Sequence, residues 1–252
     1  MPNIQTLIEI TRKAGEIIMH HYRQESIEVK YKADSSPVST ADLESNHLIC
    51  KELDKLYPNI PIISEENDNP DLTKDLFWSI DPLDGTKSFL GRSGEFTINI
   101  ALIKGKTPIL GIVYAPLNDA LYYVDIDNIP YKQHKDGRIF QIKARPTPEE
   151  GATVIVSKTS ANGSKLQDFL KNKQVHKTIT CSSALKICLI AEGSADLYPR
   201  LGQTMEWDTA AGHAILNAAG GSVCSLTNET LTYGNKELDY YNPEFIASGR
   251  TD

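Results

Sequence analysis

Asp81 and Asp84 stand three positions apart in Asp81-Pro82-Leu83-Asp84-Gly85-Thr86. Leu76, Phe77, Trp78 and Ile80 lead into them as a buried strand. Pro82 has no N–H to donate, so sheet pairing is expected to end there. Gly85 then permits a tight turn. The two carboxylates are expected at the mouth of a strand, on a rigid bend, where they repel each other unless a cation lies between them. Oxygen-only ligands suit a hard cation such as Mg²⁺. A plain strand end closed by an Asp-Gly turn would have the same local sequence, so the decision rests on the rest of the chain.

Three more acidic elements occur. Val38 to Asp42 opens a helix; Ser39 or Thr40 can cap it, and Asp42 falls in its first turn, where the helix dipole favours an anion. Glu65 and Glu66 follow the apolar run Ile60 to Ile63 and read equally well as a solvated loop. Asp208, after Trp207, reads equally well as the cap of the helix it precedes. Ala210, Ala211 and Gly212 let that helix approach its neighbours closely, and His213 among them reads as a packed side chain without a catalytic role.

The elements that must position these groups follow from periodicity. Residues 3 to 22 carry apolar side chains at helical spacing, and Ile27 to Tyr31 is a short strand. Lys32 to Pro37 is a polar loop, and Leu43 to Leu56 supplies the apolar side of a second helix. Glu95 to Lys104, Pro108 to Tyr114, Leu121 to Asp125 and Arg138 to Lys143 read as strands, with 127 to 137 a polar connection. Arg145 to Pro148 is the expected boundary between an α+β half, 1–146, and an α/β half, 147–252. Strands at 153–157, 178–180, 195–198, 222–226 and 244–247 alternate there with helices at 164–171, 183–192 and 208–219.

The chain has 252 residues, 40% hydrophobic and 23% charged, ordinary for a globular protein. A net charge of −7 argues against nucleic acid as a partner but admits a small anion held by metal and local cations. No apolar run approaches the ~20 residues of a membrane span. Met1 to Tyr22 carries Glu9 and Glu16 and does not read as a signal peptide. The expected location is the cytoplasm, free or peripheral at the inner membrane. Cys50, Cys181, Cys188 and Cys224 contain no C-x-x-C pair and are expected as reduced thiols.

Taken in order, Val38 to Asp42, Glu65-Glu66, Asp81 to Thr86 and Trp207-Asp208 resemble the Mg²⁺-dependent, lithium-sensitive phosphatase superfamily that includes inositol monophosphatase and fructose 1,6-bisphosphatase. The likeness continues through Lys32 to Pro37, Gly94 to Ala101 and Ala191-Glu192-Gly193. Within that superfamily the chain is most similar to the bacterial CysQ type of 3'(2'),5'-bisphosphate nucleotidase.

The resemblance implies a layered αβαβα sandwich of mixed α+β and α/β class. It implies hydrolysis of adenosine 3',5'-bisphosphate, and of its sulfated form, to a monophosphate and phosphate, in sulfur assimilation and nucleotide recycling. It also implies two to three Mg²⁺ ions. Glu65, Asp81 and the Leu83 carbonyl would bind one; Asp81, Asp84 and Asp208 would bind a second; a third, weaker ion would share Glu65. Thr86 and Asp42 match the pair that positions and deprotonates the attacking water, and Glu66 would hold a metal-bound water. Gly85 and Thr86 would offer N–H groups to the scissile phosphate. Ser183, Lys186 and Arg200 would hold the second phosphate and the ribose, and Asp208 would also face substrate. Ser160 stands where relatives often carry His. Competing readings are an inositol or sugar phosphatase and a catalytically idle nucleotide- or metal-binding regulator. Either a monomer or a homodimer fits.

Overall fold

The computed structural model describes residues 2–31, 37–72, 74–158 and 163–250. Helices α1 (Ile4–Tyr22) and α2 (Thr40–Leu56) flank a two-stranded antiparallel pair, β1 (Val29–Tyr31) and β2 (Pro37–Ser39). There follow β3 (Ile62–Ser64), β4 (Leu76–Asp84), the short helix α3 (Thr86–Leu90), β5 (Thr97–Lys104), β6 (Thr107–Ala115), β7 (Ala120–Val124), β8 (Pro130–Gln133) and β9 (Ile139–Gln141). The second half runs β10 (Ala152–Ser157), α4 (Ser164–Leu170), β11 (Val175–Cys181), α5 (Leu185–Ala191), β12 (Leu197–Arg200), α6 (Glu206–Ala218), β13 (Ser222–Ser225), a 3₁₀ turn (Lys236–Leu238) and β14 (Phe245–Ser248).

Strands β3 to β9 lie side by side in sequence order, antiparallel except for the parallel pair β3–β4. The second sheet has the order β11-β10-β12-β14-β13, with β10 parallel to both its neighbours. Alternation along the strands sorts the layers. On β4 and β5, Trp78, Ile80, Ile100 and Leu102 meet Leu7 and Ile18 of α1 and Ile49 and Leu53 of α2. Their neighbours Phe77, Ala101 and Ile103 face the other way, onto α5 and α6. Ile155 of β10 packs in that same cluster from the second sheet, while Val154 and Val156 face Leu166 of α4. The result is the expected αβαβα stack, with α5 and α6 as the middle layer.

Helix α6 is admitted by small residues. A Cβ on Gly111 of β6 would stand 2.3 Å from the Ala211 carbonyl, and one on Gly212 would stand 3.0 Å from Cβ of Ile187. Ala210, Ala211 and Gly212 therefore form the close contact that the sequence suggested.

Two expectations need correction. Pro82 does not end β4. Asp81 pairs with Asn99 and Asp84 with Thr97, so Pro82 and Leu83 together oppose Ile98 in a bulge, and pairing resumes beyond them. A bulge leaves its residues out of the ladder, which is where a proline is tolerated. The connection 127–137 is not all loop: it contains β8, whose polar side chains lie on a half-buried strand near the sheet edge. The polar loop expected at 32–36 lies outside the described residues.

Candidate active site

The bulge aims the two carboxylates. Asp81 is 1% exposed, and its Oδ1 accepts a hydrogen bond from the Leu83 N–H at 3.0 Å. Leu83 itself is fully buried, so the turn is nailed into the core. Asp84 leaves the strand half-buried and is held at Oδ2 by the Ala184 N–H at 2.5 Å and Asn99 Nδ2 at 3.3 Å, with Thr97 Oγ1 at 3.5 Å. Gly85 follows in the left-handed region, φ 92°, and caps α3.

Asp208 arrives from the second half, in the first turn of α6, where its Oδ2 accepts the Met205 N–H at 2.9 Å. Its local role is thus the helix start that the sequence allowed, but its carboxylate has company. Asp81, Asp84 and Asp208 each offer an oxygen within 4.8 Å of the other two. Glu65, at the end of β3 with its N–H bonded to the Ile80 carbonyl, is close enough to raise the pKa of both Asp81 and Asp208. Glu66 is half-buried beside it.

Burial sets the electrostatics, and mutual repulsion adds to it. Desolvation holds the Asp81 carboxyl well above the usual range, with further pressure from Glu65, Asp84 and Asp208. Asp208 is pushed up to about 8, first by burial and then by Asp84 and Glu65. Burial also raises Asp84, but Lys186 and the hydrogen bonds from Asn99 and Ala184 oppose it. Clustered carboxylate oxygens, penalised when charged, are a donor set that fits a hard divalent cation.

Asp42 belongs to a separate arrangement beside this cluster. Ser39 caps α2, and its N–H and Oγ both donate to Asp42 Oδ2, at 2.8 and 2.5 Å. The other oxygen, Oδ1, accepts from Thr86 Oγ1 at 3.1 Å, across 44 residues of sequence. Thr86 Oγ1 also lies 3.3 Å from the Leu83 carbonyl. Asp42 is 1% exposed; burial raises its pKa and the Ser39 bonds pull it back down.

A cleft of about 700 Å³ gathers acidic residues and two cations in its lining. Glu65, Asp84, Gly85, Thr86 and Asp208 line it, and so do Ser183, Lys186 and Arg200. Ser183 takes a left-handed φ of 59° at the start of α5, and its carbonyl accepts from Lys186 Nζ at 2.5 Å. Burial lowers the Lys186 pKa, and Asp84 opposes that shift. Arg200 donates from Nη2 to the Gln203 carbonyl at 2.6 Å, while its buried Nε has no partner among the described residues. Ser160 lies outside the described residues.

The sequence reading passed over Thr97, Asn99 and the Ala184 N–H as supports of Asp84. Thr97 and Asn99 had a signal: they alternate with Ile98 and Ile100 in an otherwise apolar strand, where a buried polar side chain needs a partner.

Residues 2–251 match the family description "Inositol monophosphatase family". The chain belongs to the inositol monophosphatase family. It is 41% identical over 250 residues to the 3'(2'),5'-bisphosphate nucleotidase CysQ of Buchnera aphidicola, covering 97% of this chain and 93% of that one. It is 39% identical over 251 residues to the protein of the same name from Escherichia coli K12, covering 97% and 99%. The crystal structure of CysQ from Bacteroides thetaiotaomicron, a bacterial member of the family, superposes with a TM-score of 0.83 at 33% identity, covering 98% and 97%. Like the rest of the family scaffold, the described part of this chain contains mixed sheets and helices, none of the helices long and apolar enough to cross a membrane.

Proposed function

We propose that this protein is a 3'(2'),5'-bisphosphate nucleotidase that hydrolyses adenosine 3',5'-bisphosphate to AMP and phosphate, and accepts the sulfated form of the same nucleotide. The carrying observation is one cleft lined both by Lys186 and Arg200 and by Asp84 and Asp208, which with Asp81 form the acidic trio. A substrate with two phosphates needs two such anchors. The CysQ relatives support the same reading by name and by full-length similarity.

Asp81, Asp84 and Asp208 would hold one Mg²⁺. Glu65, Asp81 and the Leu83 carbonyl would hold another, and a third, weaker ion would share Glu65. When bound, such ions supply charge neutralisation at the phosphate and a more acidic water. The chain's own groups do the rest. Thr86 Oγ1 commits its hydrogen to Asp42 Oδ1, so its lone pairs are left to accept from the attacking water. The Ser39 bonds keep the other Asp42 oxygen occupied and fix the carboxylate's orientation. Glu66 would steady a further water. The N–H groups of Gly85 and Thr86, at the start of α3, would face the scissile phosphate. One of the three Lys186 hydrogens goes to the Ser183 carbonyl, leaving two for the second phosphate. Arg200, which lines the same cleft, would add its guanidinium charge, and Ser183 would contact the ribose.

Phosphate release from adenosine 3',5'-bisphosphate, inositol 1-phosphate and fructose 1,6-bisphosphate, each with and without Mg²⁺, tests the proposal. The expected outcome is Mg²⁺-dependent release with the nucleotide far ahead. Preference for inositol 1-phosphate would make the protein a simple sugar-type phosphatase. No release from any of them would leave a binding protein.

A further inference from the structure

The nucleotide's two phosphates have partners in the cleft, but its base is still unplaced. Of the four aromatic residues lining the cleft, Tyr198, Trp207 and Phe245 are buried and offer no open ring face. Tyr241 is 40% exposed. We infer that Tyr241 is the stacking platform for the substrate's base and hence the residue that makes the enzyme prefer a nucleotide over a bare sugar bisphosphate. This rests on the nucleotidase reading and adds to it a contact for the heterocycle.

Backbone conformation supports the assignment. Asp239 and Tyr240 are successive non-glycine residues with positive φ, 49° and 60°. Such pairs are uncommon and call for a reason. Here the turn sends Tyr240 inward, where its ring lies 5.8 Å from that of Trp207, and leaves the next ring, Tyr241, in the cleft.

Tyr241 is also tied to the catalytic side. Its backbone forms an antiparallel bridge with Met205, the residue whose N–H holds Asp208. Asn242 locks that bridge, donating from Nδ2 to the Met205 carbonyl at 2.7 Å and to Thr209 Oγ1 at 3.1 Å. A base on Tyr241 would therefore sit in the same cleft as Arg200, one backbone strut away from Asp208. A π-face suits every base and selects for the presence of a ring, not for its identity.

The test compares adenosine 3',5'-bisphosphate with an abasic 1-methoxyribose 3,5-bisphosphate of the same charge, in wild type, Tyr241→Ala and Tyr241→Phe. Loss of the ring should raise KM for the nucleotide about 10-fold or more and leave kcat nearly alone, the size expected for one stacked base. The nucleotide-to-abasic ratio of kcat/KM should collapse by the same factor, and Phe, which keeps the ring, should restore it. A wild-type preference for the nucleotide that survives in Tyr241→Ala would overturn the platform while leaving the nucleotidase reading intact. Equal loss on both substrates would also overturn it, since Tyr241 would then only support the fold. A wild type that turns over neither substrate would remove the nucleotidase reading and the platform together.

Discussion

Thr86 carries one hydroxyl hydrogen, and Asp42 Oδ1 at 3.1 Å is its better acceptor; the Leu83 carbonyl is further off, at 3.3 Å. That commitment decides what the hydroxyl can do for water: accept, not donate. Thr86→Ala should therefore lower kcat by ~100-fold or more while KM moves much less, because the lost contact orients water in the transition state. Steady-state kinetics on the bisphosphate checks this. Unchanged kcat with a raised KM would make Thr86 a phosphate clamp. The pairing of residues 42 and 86 was legible only through resemblance, because no local pattern joins a helix cap to a strand end 44 residues away. The supports of Asp84 were less legible still. An amide N–H such as that of Ala184 leaves no mark in sequence, whereas Thr97 and Asn99 did, as polar residues in an apolar strand.

At the scale of the element, the site depends on how β4 ends. The bulge at Pro82 and Leu83 turns Asp81 and Asp84 toward α6, and Gly85 then reverses the chain into α3. A side chain on Gly85 would meet two penalties: a φ of 92° that L residues avoid, and a Cβ only 2.9 Å from the Glu95 carbonyl. Gly85→Ala should cost about 1–2 kcal/mol or more of stability. It should cost activity more than a loss of that size alone would suggest, because any shift of the turn moves Asp84 and Thr86 together. Urea unfolding beside kcat measurement would show it; a stable variant with full activity would mean that the turn has slack. The strand and helix pattern here was mostly readable, since burial of β5, β6 and the central part of α6 is nearly continuous. Pro82 misled because the rule that proline ends pairing holds for a regular ladder, and a bulge suspends that ladder for two residues.

At the scale of the whole molecule, the candidate site gathers carboxylates that electrostatics pushes apart. Asp81 and Asp84 come from the seven-stranded sheet, and Asp208 comes from the helix that separates it from the five-stranded one. The order of these motifs was legible, but the closing of the cleft was not, since it depends on Gly111 letting α6 come against β6. The electrostatic cost gives the last prediction. Asp208 has its pKa raised from 3.8 to about 8, so between those values the folded, metal-free protein binds protons that the unfolded chain has released. Its contribution to stability is full below the unfolded value and is lost as pH rises through about 8. Asp81 and Asp84 are raised too and act in the same direction. Metal-free protein should therefore lose melting temperature, on this account, between about pH 5.5 and about pH 8.5. Mg²⁺ held by the same oxygens would compete with protons, so the increase in melting temperature that it produces should be larger at the higher pH. Asp208→Asn removes the carboxyl whose pKa is raised to about 8 and should flatten the pH dependence of the metal-free protein while weakening the Mg²⁺ effect. Melting curves of wild type and Asp208→Asn at both pH values, with and without Mg²⁺, supply the comparison. An Mg²⁺ effect of equal size at both pH values, or one undiminished in Asp208→Asn, would mean that the ion binds away from these carboxylates.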